Sequence, residues 1–188
     1  RVLSRIMSAP HPFRLDGRLA VVTGGAMGIG SGICDTLAQA GARIVIADID
    51  EAASASKVQE LRAAGYEAGS VQLDLADEAS VVAACEAVVA THGAPWLLVN
   101  NAGVQHREMI LEGSVAHWDR NYTINVRGPF LMIRELGRAM VAAGQGGRIV
   151  NLASNSLAGE FVMGLGAYMA AKGGLAALTT AAAFELAD

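Results

Sequence analysis

Short apolar runs alternate along the chain with longer stretches whose apolar positions recur at helical spacing. Leu19–Thr23 (LAVVT) predicts a buried strand, and the helical pattern from Gly28 to Ala40 stops at Gly41. Arg43–Asp48 (RIVIAD) predicts a second strand, and Glu51–Ala64 an amphipathic helix closed by Gly65. Ser70–Asp74 (SVQLD) reads as a third strand, Glu78–Thr91 as a helix and Trp96–Val99 as a fourth strand. A long helical region follows over Val115–Ala143, which Gly128 and Pro129 should bend or break. Arg148–Ala153 (RIVNLA) is the fifth strand, and a last helix runs from Ala167 to the end. Strands separated by helices require right-handed crossovers. The expected fold is therefore α/β: a doubly wound parallel sheet with helices on both faces. No repeat or low-complexity linker interrupts it, so residues 15–188 read as a single domain behind an N-terminal extension, 1–14.

Composition narrows the classes. At 188 residues, with 53% hydrophobic and 17% charged positions, the chain suits one compact domain with a proper core. The net charge of −4 provides no electrostatic footprint for nucleic acid or an anionic membrane. The most apolar stretch, Leu157 to Ala187, is interrupted by Glu160, Lys172 and Glu185, so no transmembrane helix is expected. The opening RVLSRIMSAPHPFRLDG is basic but lacks an apolar core followed by a cleavage site. It reads as no secretory signal, Met7 is a candidate natural start, and the cytoplasm is the expected compartment. Cys34 and Cys85 fall in helical patterns and are expected as small core residues.

Chemistry first shows in VVTGGAMGIGSGI, residues 21–33, where glycines crowd the join between the first strand and its helix. At that place in a doubly wound sheet, free backbone N–H groups and the helix dipole favour a phosphate, and glycines let a pyrophosphate approach the main chain. The spacing is Gly24-x-x-x-Gly28-x-Gly30, which departs from the general G-x-G-x-x-G fingerprint and, taken alone, also fits a tight turn with no ligand. A P-loop is disfavoured because no Lys-Ser/Thr pair follows. Asp48 ends the second strand eighteen residues after Gly30, where a carboxylate accepts both hydroxyls of an adenosine ribose. The same carboxylate repels a 2′-phosphate, and neither Ala26, Met27 nor Ile49 offers a positive charge to receive one. The expected cofactor is NAD, with NADP disfavoured. Tyr168 and Lys172, four residues apart on a helix, share one face. A phenol normally titrates near ~10, and a nearby ammonium favours its anion, fitting it for general acid–base work.

In type and order these residues resemble the short-chain dehydrogenase/reductase family, in its shorter branch. The motifs are Thr23-Gly24-x-x-x-Gly28-x-Gly30, Asp74 after strand three, Asn100-Asn101-Ala102-Gly103 after strand four, and Tyr168-x-x-x-Lys172. They span essentially the whole chain from Leu15 onward. The resemblance implies a Rossmann fold and reversible hydride transfer between a nicotinamide cofactor and a secondary alcohol or its ketone. It implies Tyr168 as acid/base, and Lys172 as nicotinamide-ribose anchor and modulator of the phenol. It makes Ser154 the residue that hydrogen-bonds the substrate oxygen, and Asn125 the holder of a relay water. Cofactor contacts would come from Thr23, Gly24, Met27, Gly28, Ile29, Gly30, Asp48, Ile49, Asp74, Leu75, Asn101, Ala102, Gly103, Tyr168 and Lys172. Ser154 lies fourteen residues before Tyr168, where thirteen is usual, so Ser156 remains a rival for its role. Asn125 also fits a polar residue that satisfies a bent helix backbone.

The wording FRLDGRLAVVTGG and AYMAAKGGL is similar to polyol and sugar-alcohol dehydrogenases. A 3-oxoacyl thioester reductase shares every motif, and a catalytically silent nucleotide-binding or scaffold protein is the alternative from another class. Family members run to about 250 residues, so a later part of the sheet is expected to be missing here or merely unrecorded. The family commonly forms tetramers through the helices that correspond to Val126–Ala143 and Ala167–Ala187, and a homotetramer or homodimer is expected. His92, His106 and His117 have no metal-ligand spacing; His106, just past Asn-Asn-Ala-Gly, is placed at the edge of the substrate pocket. Trp96 and Trp118 are read as packing residues.

Overall fold

A computed structural model describes residues 13–159 and 162–187. The expected extension and the candidate start at Met7 therefore lie outside the described residues, apart from Phe13 and Arg14. Five strands, β1 (Leu19–Thr23), β2 (Arg43–Asp48), β3 (Ala68–Gln72), β4 (Leu97–Asn100) and β5 (Arg148–Asn151), form one sheet in the order β3-β2-β1-β4-β5. Every pairing is parallel, with Val21 facing Val45 on one side and Leu98 on the other. The order reverses between β1 and β4, which makes the carboxyl ends of those strands the place where a ligand fits an open α/β sheet. This is the doubly wound fold that the alternation predicts.

The helices are α1 (Gly28–Gln39), α2 (Glu51–Ala63), α3 (Glu78–His92), α4 (Val115–Tyr122), α5 (Gly128–Ala143) and α6 (Gly166–Glu185). Side chains alternate faces along each strand, so two cores form. Val21, Val45 and Leu98 pack with Val81 of α3 and Leu131 and Leu136 of α5. Val22, Ile46 and Val99 pack on the opposite face with Cys34 of α1 and Leu61 of α2. Cys34 and Cys85 are both buried, as expected of core residues, and burial pushes each thiol up to about 12. Such thiols stay protonated and unreactive.

Several boundaries differ from the sequence pattern, β3 beginning at Ala68 and β5 ending at Asn151 among them, and two differences have local reasons. Strand β3 ends at Gln72, because Asp74 leaves the ladder: its N–H donates to Ser80 Oγ and its Oδ1 accepts from Ala76 N–H. The long helix breaks earlier than expected, in a single π turn over Thr123–Arg127 where Gly128 N–H reaches back to the Thr123 carbonyl. Pro129 explains the widening. It has no N–H to give the Asn125 carbonyl four residues back, so the backbone loosens just ahead of it.

Candidate active site

A cleft of about 560 Å³ opens at the carboxyl ends of β1 to β4. Gly24 and Met27 from the turn after β1, and Asp48 and Ile49 from the end of β2, form one wall. Asp74 and Leu75, past β3, close the far end, and Asn101, Ala102 and Gly103, past β4, form the other side. Nine of the residues singled out by sequence thus meet in one cavity.

The glycines do two different jobs there. Gly24 has φ +64, and a methyl group on it would lie 2.9 Å from the Ala102 Cα, so both conformation and space require glycine. A methyl on Gly30 would lie only 2.0 Å from the Gly24 carbonyl oxygen and 2.6 Å from Asn101 Nδ2. Gly30 is therefore needed for packing between α1 and the turn, not only for a ligand. Thr23, fully buried, accepts from the N–H groups of Asn101 and Ala102 at 3.1 Å each, and Asn101 Nδ2 donates to the carbonyls of Thr23 and Gly24 at 3.0 Å. The loops after β1 and β4 are stitched together before any ligand arrives.

Helix α1 starts at Gly28 with Met27 at its cap and no side-chain bond to its first N–H groups. These donors and the dipole favour an anion at the cleft wall. Asp48 is pre-set: Oδ2 accepts from Ala26 N–H and Oδ1 from Asp50 N–H, both at 3.1 Å. Met27 and Ile49 are exposed apolar side chains that line the cleft, free to cover an aromatic ring, whereas Ile29, also exposed, does not line it. Donors for a pyrophosphate, a fixed carboxylate for a ribose and apolar cover suit a dinucleotide.

The second cluster lies where β5 meets α6. Lys172 is buried, and its Nζ donates to the Leu152 carbonyl at 2.7 Å while standing 5.8 Å from the centre of the Tyr168 ring. Burial holds this ammonium below the usual lysine range. Ser154, two residues past Leu152, caps a short 3₁₀ turn over Asn155–Ala158. Its Oγ accepts from Ser156 N–H at 3.2 Å and lies 2.8 Å from Ser156 Oγ. Ser156 is the buried partner and Ser154 the more accessible hydroxyl. Asn125, fully buried in the π turn, clasps Val104: its Oδ1 accepts from Val104 N–H at 3.1 Å and its Nδ2 donates to Val104 O at 2.9 Å. The side chain thus satisfies backbone at the bend, while Pro129 leaves the Asn125 carbonyl without its helical donor.

Sequence reasoning missed Val104, Arg120 and Ile124, which also line the cleft. Val104 directly follows Gly103, and Arg120 and Ile124 share a helical face at i, i+4 spacing, which was the available signal. His106 does not line the cleft; its ring stands edge-on to His117, 6.5 Å between centres. The described residues hold no cluster of three or more metal-ligating side chains, and no helix among them is long and apolar enough to cross a membrane.

A doubly wound sheet with this stitched glycine turn is of the Rossmann class. Residues 18–188 match the short chain dehydrogenase family, and the chain belongs to it. It is 36% identical over 174 residues to a sorbitol dehydrogenase of Cereibacter sphaeroides, covering 92% of this chain and 66% of that protein. Among solved structures, a gluconate 5-dehydrogenase from Burkholderia cenocepacia J2315, in complex with NADP and tartrate, superposes with a TM-score of 0.88 at 35% identity, over 95% of this chain and 69% of that one. A short chain dehydrogenase/reductase from Burkholderia phymatum, in complex with NAD, gives 0.86 at 34% identity, over 93% and 62%. The chain spans about two thirds of the length of the curated relatives it matches.

Proposed function

We propose that this protein is an NAD-dependent oxidoreductase acting on a secondary alcohol of the polyol type and on its ketone. The observation that carries the reading is the buried Lys172 ammonium, 5.8 Å from the Tyr168 ring on the same helical face. When bound, the nicotinamide ring supplies the acceptor or donor of the hydride. Tyr168 takes the hydroxyl proton of the alcohol in oxidation and returns it in reduction. Lys172 holds the ribose and keeps a positive charge beside the phenol. Ser154 Oγ accepts from Ser156 N–H, and when Ser156 Oγ also donates to it, its own proton goes to the substrate oxygen. Asn125 presents its main-chain carbonyl to a relay water while its side chain fixes the loop. The glycine turn takes the pyrophosphate, and Asp74 and Leu75 flank the adenine.

Asp48 supports NAD over NADP, because a fixed carboxylate at the ribose end opposes a second negative group. The one cation lining the cleft among the described residues, Arg120, comes from α4 after β4, not from the end of β2. The polyol assignment leans on the sorbitol dehydrogenase relative. Assembly into a homodimer or homotetramer is supported by exposed apolar side chains on α5 and α6, among them Phe130, Val141 and Phe184. The test uses the full-length protein, in native form and as Asp48→Ala, and reads NADH formation from NAD with sorbitol and hydroxysteroids and NADH consumption with acetoacetyl thioesters. Polyol turnover with NAD is expected, with the ratio of kcat/KM for NAD over NADP falling in Asp48→Ala. A native enzyme that prefers NADP, or one active only on thioesters, would overturn the reading.

A further inference from the structure

A line of polar side chains runs from Asn125 to the surface, and the reaction as proposed makes no use of it. Asn121 is 1% exposed, a position between packed helices that is ordinarily apolar. Its Nδ2 donates to the His117 carbonyl at 3.0 Å and lies 3.3 Å from His117 Nε2, and its Oδ1 lies 3.5 Å from Asn125 Nδ2. His117 Nδ1 in turn stands 3.5 Å from Glu108 Oε2, which also accepts from Ser114 N–H at 3.1 Å. Among the described residues the His106 ring is the other titratable group facing His117, edge-on at 6.5 Å.

Only one arrangement of hydrogens satisfies this line. The His117 carbonyl can pair only with the amide NH₂ of Asn121, which fixes which end of that amide points outward. His117 Nε2 must then accept, leaving its hydrogen on Nδ1 toward the Glu108 carboxylate. From Val104 N–H through Asn125, Asn121 and His117, each link has a donor that points outward, with Asn125 Nδ2 also donating back to the Val104 carbonyl, and the line ends on a charge. Hydrogen bonds in such a chain polarise one another. At the inner end, a methyl on Gly103 would lie 2.6 Å from Asn125 Oδ1 and 3.6 Å from Lys172 Nζ, so the polarised amide and the ammonium border the same small space.

We propose that Asn121 and His117, terminated by Glu108, are positioning residues. They orient and polarise the Asn125 carboxamide against Val104, and so hold the loop that faces Lys172. The role rests on the reading of Tyr168 and Lys172 as the reacting pair. It acts on the proton step, not on cofactor or substrate binding, and it favours the charged form of a lysine that burial disfavours.

The experiment compares His117→Leu, His117→Gln and Glu108→Gln in the full-length protein with sorbitol and NAD, reading kcat, KM, NADH affinity by fluorescence, and melting temperature. His117→Leu should lower kcat about tenfold through misplacement of the loop, with KM and NADH affinity held. His117→Gln, whose amide oxygen still accepts from Asn121, should recover most of the loss. Glu108→Gln, an isosteric change whose amide oxygen can still accept from Ser114 N–H, should lower kcat about threefold. The role is overturned if Glu108→Gln and His117→Leu both keep native kcat, if His117→Gln fares no better than His117→Leu, or if the loss falls on KM alone. Should His117→Leu fail to fold, Glu108→Gln and His117→Gln decide. Tyr168→Phe is measured alongside. Retained turnover there overturns both this role and the proposed reaction, whereas an inactive Tyr168→Phe beside fully active ladder variants overturns this role alone.

Discussion

Replacing Gly30 by alanine tests the glycine turn at its tightest point. The added methyl would stand 2.0 Å from the Gly24 carbonyl oxygen and 2.8 Å from its carbon, where ordinary contact begins near ~3.5 Å. The peptide after Gly24 must retreat by about 1 Å or more, since α1 is held against the core by Cys34 and Ala38. That movement breaks the two bonds from Asn101 Nδ2 to the Thr23 and Gly24 carbonyls. Two lost bonds at about 1 kcal/mol each, with about 1–3 kcal/mol of overpacking, give a destabilisation of about 3–5 kcal/mol. A typical domain holds only about 5–15 kcal/mol in total. Gly32, two residues on in the same helix, is the control: it is exposed, and a methyl on it meets nothing within 4 Å. Gly32→Ala should stabilise by about 0.5–1 kcal/mol through helix propensity. Urea unfolding followed by Trp96 and Trp118 fluorescence measures both. A Gly30→Ala midpoint equal to the native one would refute the packing account of the turn.

Ser154→Ala should cut kcat by about 10²–10³, as loss of a donor to a developing oxyanion does, and Ser156→Ala by less, about threefold to tenfold; steady-state kinetics check the order, and the reverse order makes Ser156 the reacting hydroxyl. Lys172→Met should change the pH dependence of stability. Because burial lowers the folded pKa of Lys172 below its unfolded value, the unfolded chain binds the proton more tightly. The ammonium therefore costs stability at neutral pH, and that cost fades as pH rises from the lowered folded pKa toward the unfolded value near ~10.4. The stability of Lys172→Met relative to the native protein should accordingly fall as pH rises through the alkaline range toward that unfolded value in denaturant titrations, and a flat difference would contradict the burial of the charge.

Strand and helix alternation was legible because both faces of the sheet are covered, so β1 reads as an unbroken apolar run, LAVVT, with no polar position. Of the nine cleft residues, Gly24 and Asp48 were legible from the glycine turn and the strand end, and the other seven from the resemblance to the family. What escaped the sequence depends on three-dimensional closeness. Gly30 looks like a phosphate-binding glycine, yet its nearest neighbours are Gly24 and Asn101, seventy-one positions on in the latter case. The π turn over Thr123–Arg127 has no periodicity signal of its own; Pro129 announces a break without saying that the slack falls ahead of it. The one-residue excess in spacing left Ser156 a rival to Ser154, and the difference in their burial could not be read from it. His117 shows no sign in the sequence of its link to Asn125, which runs through the buried Asn121.

The central claim is that Tyr168, beside the buried Lys172, carries the proton in a nicotinamide-dependent oxidation. Tyr168→Phe in the full-length protein tests it most directly, because it removes one hydroxyl and leaves the ring against the Lys172 ammonium. NADH affinity should stay within about twofold, since uniform binding is untouched, while kcat with sorbitol falls by at least ~10². Turnover within a few-fold of the native enzyme would contradict the account.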